Sequence, residues 1–358
     1  MKIATIVGAR PQFIKASMVS KEIAKYANIS ETIIHTGQHF DENMSKIFFD
    51  EMGIPKPDHN LEINSLSHGS MTGKMLEKLE RLILSEKPDW VLVYGDTNST
   101  LAGTLAAVKL GVSVAHVEAG LRSFNMRMPE EINRILTDRV SNLLFCPTNV
   151  AVNNLEKEGI VSNGNRVVLS GDVMYDAHLH FMDNAKKMSS IMRDLGLEDS
   201  PFLLCTIHRP YNTDDQIRLE NILRALNSLS SSHRIIFPMH PRTKIAITKN
   251  KLKVLCDLIP PVSYLDMIEL VRNCSLVITD SGGLQKEAYF SGKYCVTLRD
   301  ETEWVELVDK GVVFITGADT NAILTLVEKL IRKEGDFNER LYGNGEASAT
   351  VVEEFAKA

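Results

Sequence analysis

The sequence predicts an α/β protein of two Rossmann-like, doubly wound domains facing one another across a cleft. Three observations predict it. Short apolar runs alternate with amphipathic stretches along the chain, the pattern of βαβ units and a parallel sheet. The plan starts afresh in the second half, after a polar interval from about Asp183 to Ser200. At 358 residues the chain is long for one hydrophobic core, and about two domains follow.

In order along the chain, KIATIVGARPQ is a strand that runs into FIKASMVSKEIAKY. There Phe13, Ala16, Val19, Ile23 and Tyr26 fall three or four residues apart and line one face of a helix. The unit recurs as ETIIHTGQH, as DWVLVYGDTNST followed by LAGTLAAVKL, and as VSVAHVEAG, NLLFCPT and RVVLSGD. The second half repeats it with FLLCTIHRP, RIIFPMHPRT, SLVITDSGG and YCVTLRD, and ATVVEEFAKA ends the chain as a closing helix. The expected division is 1–170 and 171–340 for the two Rossmann-like domains, with 341–358 as a closing segment.

A composition of 44% apolar and 24% charged residues is that of an ordinary soluble globular protein. The formal charge of −6 argues against nucleic acid as a partner, because no broad basic field is present. The five cysteines are scattered, with no C-x-x-C pair, so neither a zinc knuckle nor a disulfide framework is indicated. The N-terminus lacks a signal-peptide plan, and no apolar run approaches membrane-spanning length. The expectation is a cytoplasmic protein with no membrane partner.

Nearly every strand stops at a chemically capable group: Arg10, Gln38 and His39, Asp96, Glu118, His208, His240, Asp280 and Arg299. In open α/β sheets these carboxyl ends border the binding crevice. The stretch LVITDSGGLQKEA at 276–288 goes further, since a strand that ends in small residues before a helix offers unpaired N–H groups to an anion. Ser281, Gly282 and Gly283 are the expected phosphate donors. Glu287, about one and a half turns into the helix, is placed to accept from ribose hydroxyls. Arg10, Lys15, His208 and Arg209 are cations suited to a pyrophosphate.

The N-terminal half contributes carboxylates instead: Asp96, Glu118 and the pair Glu130 and Glu131 in MRMPEEINR. Pro129 followed by two acids also makes a good helix start, so that pair has a structural explanation beside the chemical one. Several carboxylates in a partly dry pocket raise one another's pKa, which suits proton transfer near neutral pH. A nicotinamide enzyme is disfavoured because VGARPQ does not match G-x-G-x-x-G, and GNGEAS at 343–348 follows no strand. There is no P-loop and no G-x-S-x-G elbow around Ser281. The ten histidines show no metal-ligand spacing, so no metal is expected.

Taken in order, GARPQFIKAS, HTGQHFDENM, YGDTNSTLAG, HVEAGLRS, MPEEINR, HPRT and TDSGGLQKEA closely resemble the non-hydrolysing UDP-N-acetylglucosamine 2-epimerases over nearly the whole chain. The resemblance implies the B-type glycosyltransferase fold, with carboxylates in the N-terminal domain and UDP held mainly by the C-terminal one. It implies inversion at C2 of a UDP-sugar without a redox cofactor: a base removes the C2 proton as UDP leaves C1, and UDP re-adds to the glycal with the proton on the other face. Acid–base work would fall to Asp96, Glu118 and Glu130, with the base and the acid not assigned among them. Arg10, Lys15, Arg134 and His208 would hold the phosphates and the departing charge, His208 thus standing with the catalytic groups. Ser281 and Gly282 would contact phosphate and Glu287 the ribose. A homodimer, and a product that feeds a cell-surface polysaccharide, are further implications.

Two departures bear on the substrate. Tyr211 in HRPYN stands where the family often has glutamate, and Trp304 in TEWVE where many members have a basic residue. GARPQFIKAS, TEWVE and LYGNGEAS resemble a subgroup acting on UDP-2,3-diacetamido-2,3-dideoxy-glucuronate, which makes that sugar the leading expectation beside UDP-N-acetylglucosamine. Trp304 also reads as packing. Some bacterial members bind a second UDP-sugar near the Gln-His of TGQH, here Gln38 and His39. A B-type glycosyltransferase, a hydrolysing epimerase and a non-catalytic nucleotide-sugar sensor remain as alternatives.

Overall fold

The computed structural model describes residues 1–38, 53, 55–161 and 164–357. Two compact units emerge, Met1–Leu179 with Arg340–Ala358, and His180–Glu339. These bounds differ from the expected division at 170/171 with a separate closing segment. The terminal helix Ala347–Ala356 belongs with the first unit because its contacts lie there. Phe355 stacks on Trp90 at 5.5 Å and on Phe145 at 6.3 Å, and Glu354 pairs with Arg166. At its start, the Asp176 carboxylate accepts from Ala347 N and Ser348 N.

The first unit carries a parallel sheet of β1 (Lys2–Val7), β2 (Ser30–His35), β3 (His59–Asn60), β4 (Trp90–Tyr94), β5 (Ser113–Val117), β6 (Leu143–Cys146) and β7 (Arg166–Leu169). Among the described residues its order is β3-β2-β1-β4-β5-β6-β7, with every neighbouring pair parallel. The central strands β1, β4, β5 and β6 are short apolar runs buried on both faces, as a parallel sheet requires, while the edge strands β3 and β7 are partly exposed. Because crossovers are right-handed, the connections of β1-β2-β3 and of β4 onward lie on opposite faces. The order therefore reverses between β1 and β4, and that is where a crevice opens in such sheets.

Helix His68–Glu86 buries Met71, Met75, Leu79 and Ile83, one residue per turn. They share a core with Ala102 and Ala106 of helix Asn98–Lys109 and with Ile6, Val91 and Val93 of the sheet. Each large apolar side chain so buried contributes about 1.5–3 kcal/mol. At the end of β1 a side chain on Gly8 would collide with Ser99 Oγ and Thr36 Oγ1. Gln12 bridges the reversal point: its Oε1 accepts from Gly8 N and Ala9 N, and its Nε2 donates to the Tyr94 carbonyl at 2.7 Å.

The second unit repeats the plan with β8 (Phe202–Thr206), β9 (Arg234–Pro238), β10 (Asp257–Ile259), β11 (Leu276–Thr279), β12 (Cys295–Thr297) and β13 (Val313–Ile315). Their order is β10-β9-β8-β11-β12-β13, again parallel throughout. The reversal falls between β8 and β11, where Thr206 lies beside Thr279 with their hydroxyls 2.6 Å apart. No helix among the described residues is long and apolar enough to cross a membrane. All five cysteines are buried free thiols.

Candidate active site

In the first unit Arg10, Lys15, Asp96 and Glu118 lie at or just past the strand ends, and Asp96 and Glu118 are each met by a cation. Arg10 opens the helix Arg10–Ile23 just past β1 and is half-buried. One turn on, Lys15 pairs with Glu118 at the end of β5, and both are buried. Glu118 adopts φ +72°, a left-handed backbone without the excuse of being glycine, which costs on the order of 1 kcal/mol or more. Two hydrogen bonds hold it there: Glu118 N and Ala119 N both donate to the Phe145 carbonyl. Gly95, at φ +60°, has no room for a side chain that would not press on this pair, since a Cβ would lie 3.2 Å from Glu118 Oε2 and 3.3 Å from Lys15 Nζ.

Asp96 follows at the end of β4 and accepts from Arg134 Nε at 3.0 Å. Arg134 is buried and also donates to Glu131 Oε2 at 2.5 Å. Glu131, fully buried, is a loop clamp: it accepts from Ser123 N, Ser123 Oγ and Phe124 N. The helix Pro129–Val140 thus does begin on two acids, as its sequence suggests, yet they differ in environment. Glu131 is fully buried with its hydrogen bonds fixed in the fold, whereas Glu130 is half-buried.

Four charged or ionisable groups below this surface were not singled out from sequence. His116 sets Nδ1 2.7 Å from Asp138 Oδ1 and Nε2 2.7 Å from the Gly95 carbonyl. Arg122 joins Asp138 at 2.7 Å and grips Glu158 through two bonds of 2.6 and 2.7 Å. Burial pushes the Asp138 carboxyl up, but the bonds and charges of His116 and Arg122 outweigh it and hold Asp138 below the ordinary carboxylate range. No spacing rule brings residues 95, 116, 122, 138 and 158 together; only the sheet order does. Gln38 is engaged locally, its Oε1 accepting from Ser99 N and Ser99 Oγ, while His39 lies outside the described residues.

In the second unit Asp280 organises the strand ends. It is fully buried and accepts from His208 N, Arg209 N and Asn212 Nδ2 at 2.9–3.1 Å. His208 Nδ1 lies 3.4 Å from the same carboxylate. Burial, assisted by Arg209 and His240, holds the His208 ring below its ordinary pKa against the pull of Asp280. Asn212 also donates to the Leu298 carbonyl, so β8, β11 and β12 are tied at one end. Tyr211 points outward with the Arg218 guanidinium 5.5 Å over its ring.

Ser281 caps the helix Gly282–Phe290, its Oγ accepting from Leu284 N. The two glycines that follow are small for different reasons. A side chain on Gly282 would collide with Oε1 of Glu303, a carboxylate whose Oε2 pairs with Arg299 Nη1 at 2.9 Å. Gly283 is exposed, and a side chain there would meet nothing nearer than Ser281 Oγ at 4.0 Å. Its smallness leaves the helix mouth bare, which suits an anion. Glu287 is buried further along. Trp304 is buried with Lys286 Nζ 4.0 Å over its ring, so a cation stands beside the tryptophan that replaces one. Among the described residues no cluster suited to a metal ion occurs.

A direct contrast follows for the two glycines. Gly282→Ala should displace Glu303 and destabilise the fold by about 1–3 kcal/mol, whereas Gly283→Ala should leave stability within about 0.5 kcal/mol and weaken UDP binding. Denaturant unfolding with calorimetric UDP titration checks this; equal destabilisation by both would contradict it.

Comparison with known proteins follows the same lines. Residues 21–356 match the family described as UDP-N-acetylglucosamine 2-epimerase. The chain is 54% identical over 358 residues, all of both chains, to the UDP-2,3-diacetamido-2,3-dideoxy-D-glucuronate 2-epimerase of Pseudomonas aeruginosa. It superposes with a TM-score of 0.94 and 41% identity, again over all of both chains, on the Methanocaldococcus jannaschii UDP-GlcNAc 2-epimerase solved with UDP-GlcNAc and UDP. The Neisseria meningitidis UDP-GlcNAc 2-epimerase bound to UDP-GlcNAc gives 0.92 and 31%, also covering both chains fully. The two parallel sheets flanked by helices are therefore the expected fold, and the chain belongs to the UDP-N-acetylglucosamine 2-epimerase family of isomerases.

Proposed function

We propose that the chain inverts C2 of UDP-2,3-diacetamido-2,3-dideoxy-D-glucuronate by eliminating and re-adding UDP. The observation that carries this reading is the 54% identity to the Pseudomonas aeruginosa 2-epimerase over the full length of both chains. It is supported by two strand-end clusters of opposite chemical character, acids in the first unit and an anion-receptive helix mouth in the second.

The chemistry assigned to the residues is as follows. One of Asp96, Glu118 and Glu130 removes the C2 proton, and the C2–H electrons form the C1–C2 double bond as the C1–O bond breaks to release UDP. The reverse addition rebuilds C1–O while another acid protonates C2 on the opposite face. The electrons balance, so the step calls for no redox carrier. Arg10, Lys15, Arg134, His208 and Arg209 offset the charge that gathers on the leaving diphosphate. Ser281, Gly282 and Gly283 receive its oxygens, and Glu287 accepts from the ribose. In this reading the first unit does the proton work and the second holds the nucleotide.

The protein works as a cytoplasmic homodimer in this proposal. Five free, buried thiols fit a reducing compartment. On helix Pro129–Val140 the residues Ile132, Leu136 and Val140, four apart, are all exposed, as are Phe124 and Met126 in the loop before it. An exposed apolar stripe of this kind marks a protein contact, here assigned to a second copy of the chain.

Two measurements test the proposal. In D2O, the diacetamido-glucuronate should gain deuterium at C2 and yield both epimers still linked to UDP, faster than UDP-GlcNAc does. Asp96→Asn and Glu118→Gln should each slow exchange by about a hundredfold or more while retaining UDP. Free sugar would point to a hydrolase, and a C2 proton that never exchanges would rule out epimerisation. For assembly, Ile132→Asp with Leu136→Asp should turn a dimer into a monomer by light scattering; an intact dimer would place the contact elsewhere.

A further inference from the structure

The helix Pro129–Val140 buries charge and exposes hydrocarbon. Its inward face carries Glu131, Arg134 and Asp138, all but fully buried, while Ile132, Leu136 and Val140 are exposed. Glu131 and Arg134 have immediate business with the loop before the helix and with Asp96. Asp138 sits deeper, and its hydrogen bonds lead in two directions.

One direction runs to Asp96. Asp138 Oδ1 faces His116 Nδ1, and His116 Nε2 faces the Gly95 carbonyl, both at 2.7 Å. A carboxylate and a carbonyl only accept, so the ring donates at both ends. It fixes the peptide that leads directly into Asp96, while Gly95 N is held by the Val117 carbonyl at 3.0 Å. The other direction runs to Glu118. Asp138 Oδ2 accepts from Gly120 N at 3.1 Å and from Arg122 Nη1 at 2.7 Å. These residues hold the turn that leaves Glu118, where Gly120 takes φ +79° and a side chain on it would collide with the Ala151 carbonyl. Arg122 donates to the Leu121 carbonyl as well, and Glu158 closes its far side.

We propose that Asp138 is a positioning residue that holds Asp96 and Glu118 in register, through His116 on one side and Gly120 with Arg122 on the other. This deepens the reading above, because it rests on those two acids being the proton-transfer groups. A buried ionic network is weak support for stability, since packed hydrocarbon of similar volume often does as well. What distinguishes this one is its two termini, one on the peptide that enters Asp96 and one on the backbone two residues beyond Glu118. Proton transfer needs its groups placed to within a fraction of an ångström, and a displacement of about 1 Å can lower the rate about a hundredfold.

The test is a double-mutant cycle in the full chain with UDP-sugar as substrate. Asp138→Asn keeps the shape but removes the charge; His116→Gln breaks one arm. Each single variant should lower kcat and C2 deuterium exchange about 30- to 100-fold, with KM and UDP affinity within about threefold. Because both remove the same link, the double variant should lie within about threefold of the slower single one. A purely structural role would instead lower kcat in step with the folded fraction, and the loss would vanish well below the melting temperature. Losses that multiply in the double variant, or folded variants that exchange as fast as the native chain, would overturn the proposal. Should Asp138→Asn not fold, His116→Gln decides alone by its split between kcat and KM. A native chain that exchanges no C2 hydrogen would instead defeat the function proposed above, so the two failures are distinguishable.

Discussion

Where a parallel sheet reverses its strand order, the connections leaving two neighbouring strands turn to opposite faces, and the carboxyl ends between them stay uncovered. Both sheets meet this constraint, at β1 and β4 and at β8 and β11, and the rest of the structure follows from it. Backbone groups at such ends have no helix over them, so side chains must hold them. Gln12 does this in the first unit by spanning Gly8 and the Tyr94 carbonyl. Asp280 does it in the second by gathering the amides of His208 and Arg209.

The two units use the reversal point for different electrostatics. In the second, a capped helix mouth and nearby cations make a place for negative charge, and Asp280 is spent internally on backbone amides. In the first, acids at the strand ends are paired with buried cations, Lys15 with Glu118 and Arg134 with Asp96. Such pairing differs from a cluster of bare carboxylates, which the sequence suggests: Glu118 meets Lys15, and Arg134 serves both Asp96 and Glu131. The helix Pro129–Val140 is built for this purpose, with its charged face turned inward at the expense of hydrocarbon left outside.

Fold class was legible because alternating apolar runs and amphipathic helices are a local signal, and strand ends are where the runs stop. That is how Asp96, Glu118, His208 and Ser281 could be placed just past strand ends. The helix Pro129–Val140 could not be oriented, because its apolar period points to Ile132, Leu136 and Val140 as the buried face, and charge burial at Glu131, Arg134 and Asp138 overrides it. Nor could the network of His116, Asp138 and Arg122 be read, since its members lie on β5, on the loop beyond it and on a later helix. The last helix is a third case: its composition announces a helix, but only Phe355 meeting Trp90 and Phe145 attaches it to the first unit. Trp304, which by sequence reads either as a substrate-side replacement or as packing, is packed beneath Lys286.

The central chemical claim is that the bond between C1 and the diphosphate oxygen breaks and re-forms whenever C2 inverts. Positional isotope exchange tests it most directly, using UDP-sugar labelled with heavy oxygen in the bridge between C1 and the β-phosphorus. The account predicts that the label appears in the non-bridging positions of the β-phosphate, read by phosphorus NMR, as the second epimer accumulates. Full accumulation of that epimer with the label still confined to the bridge would contradict it.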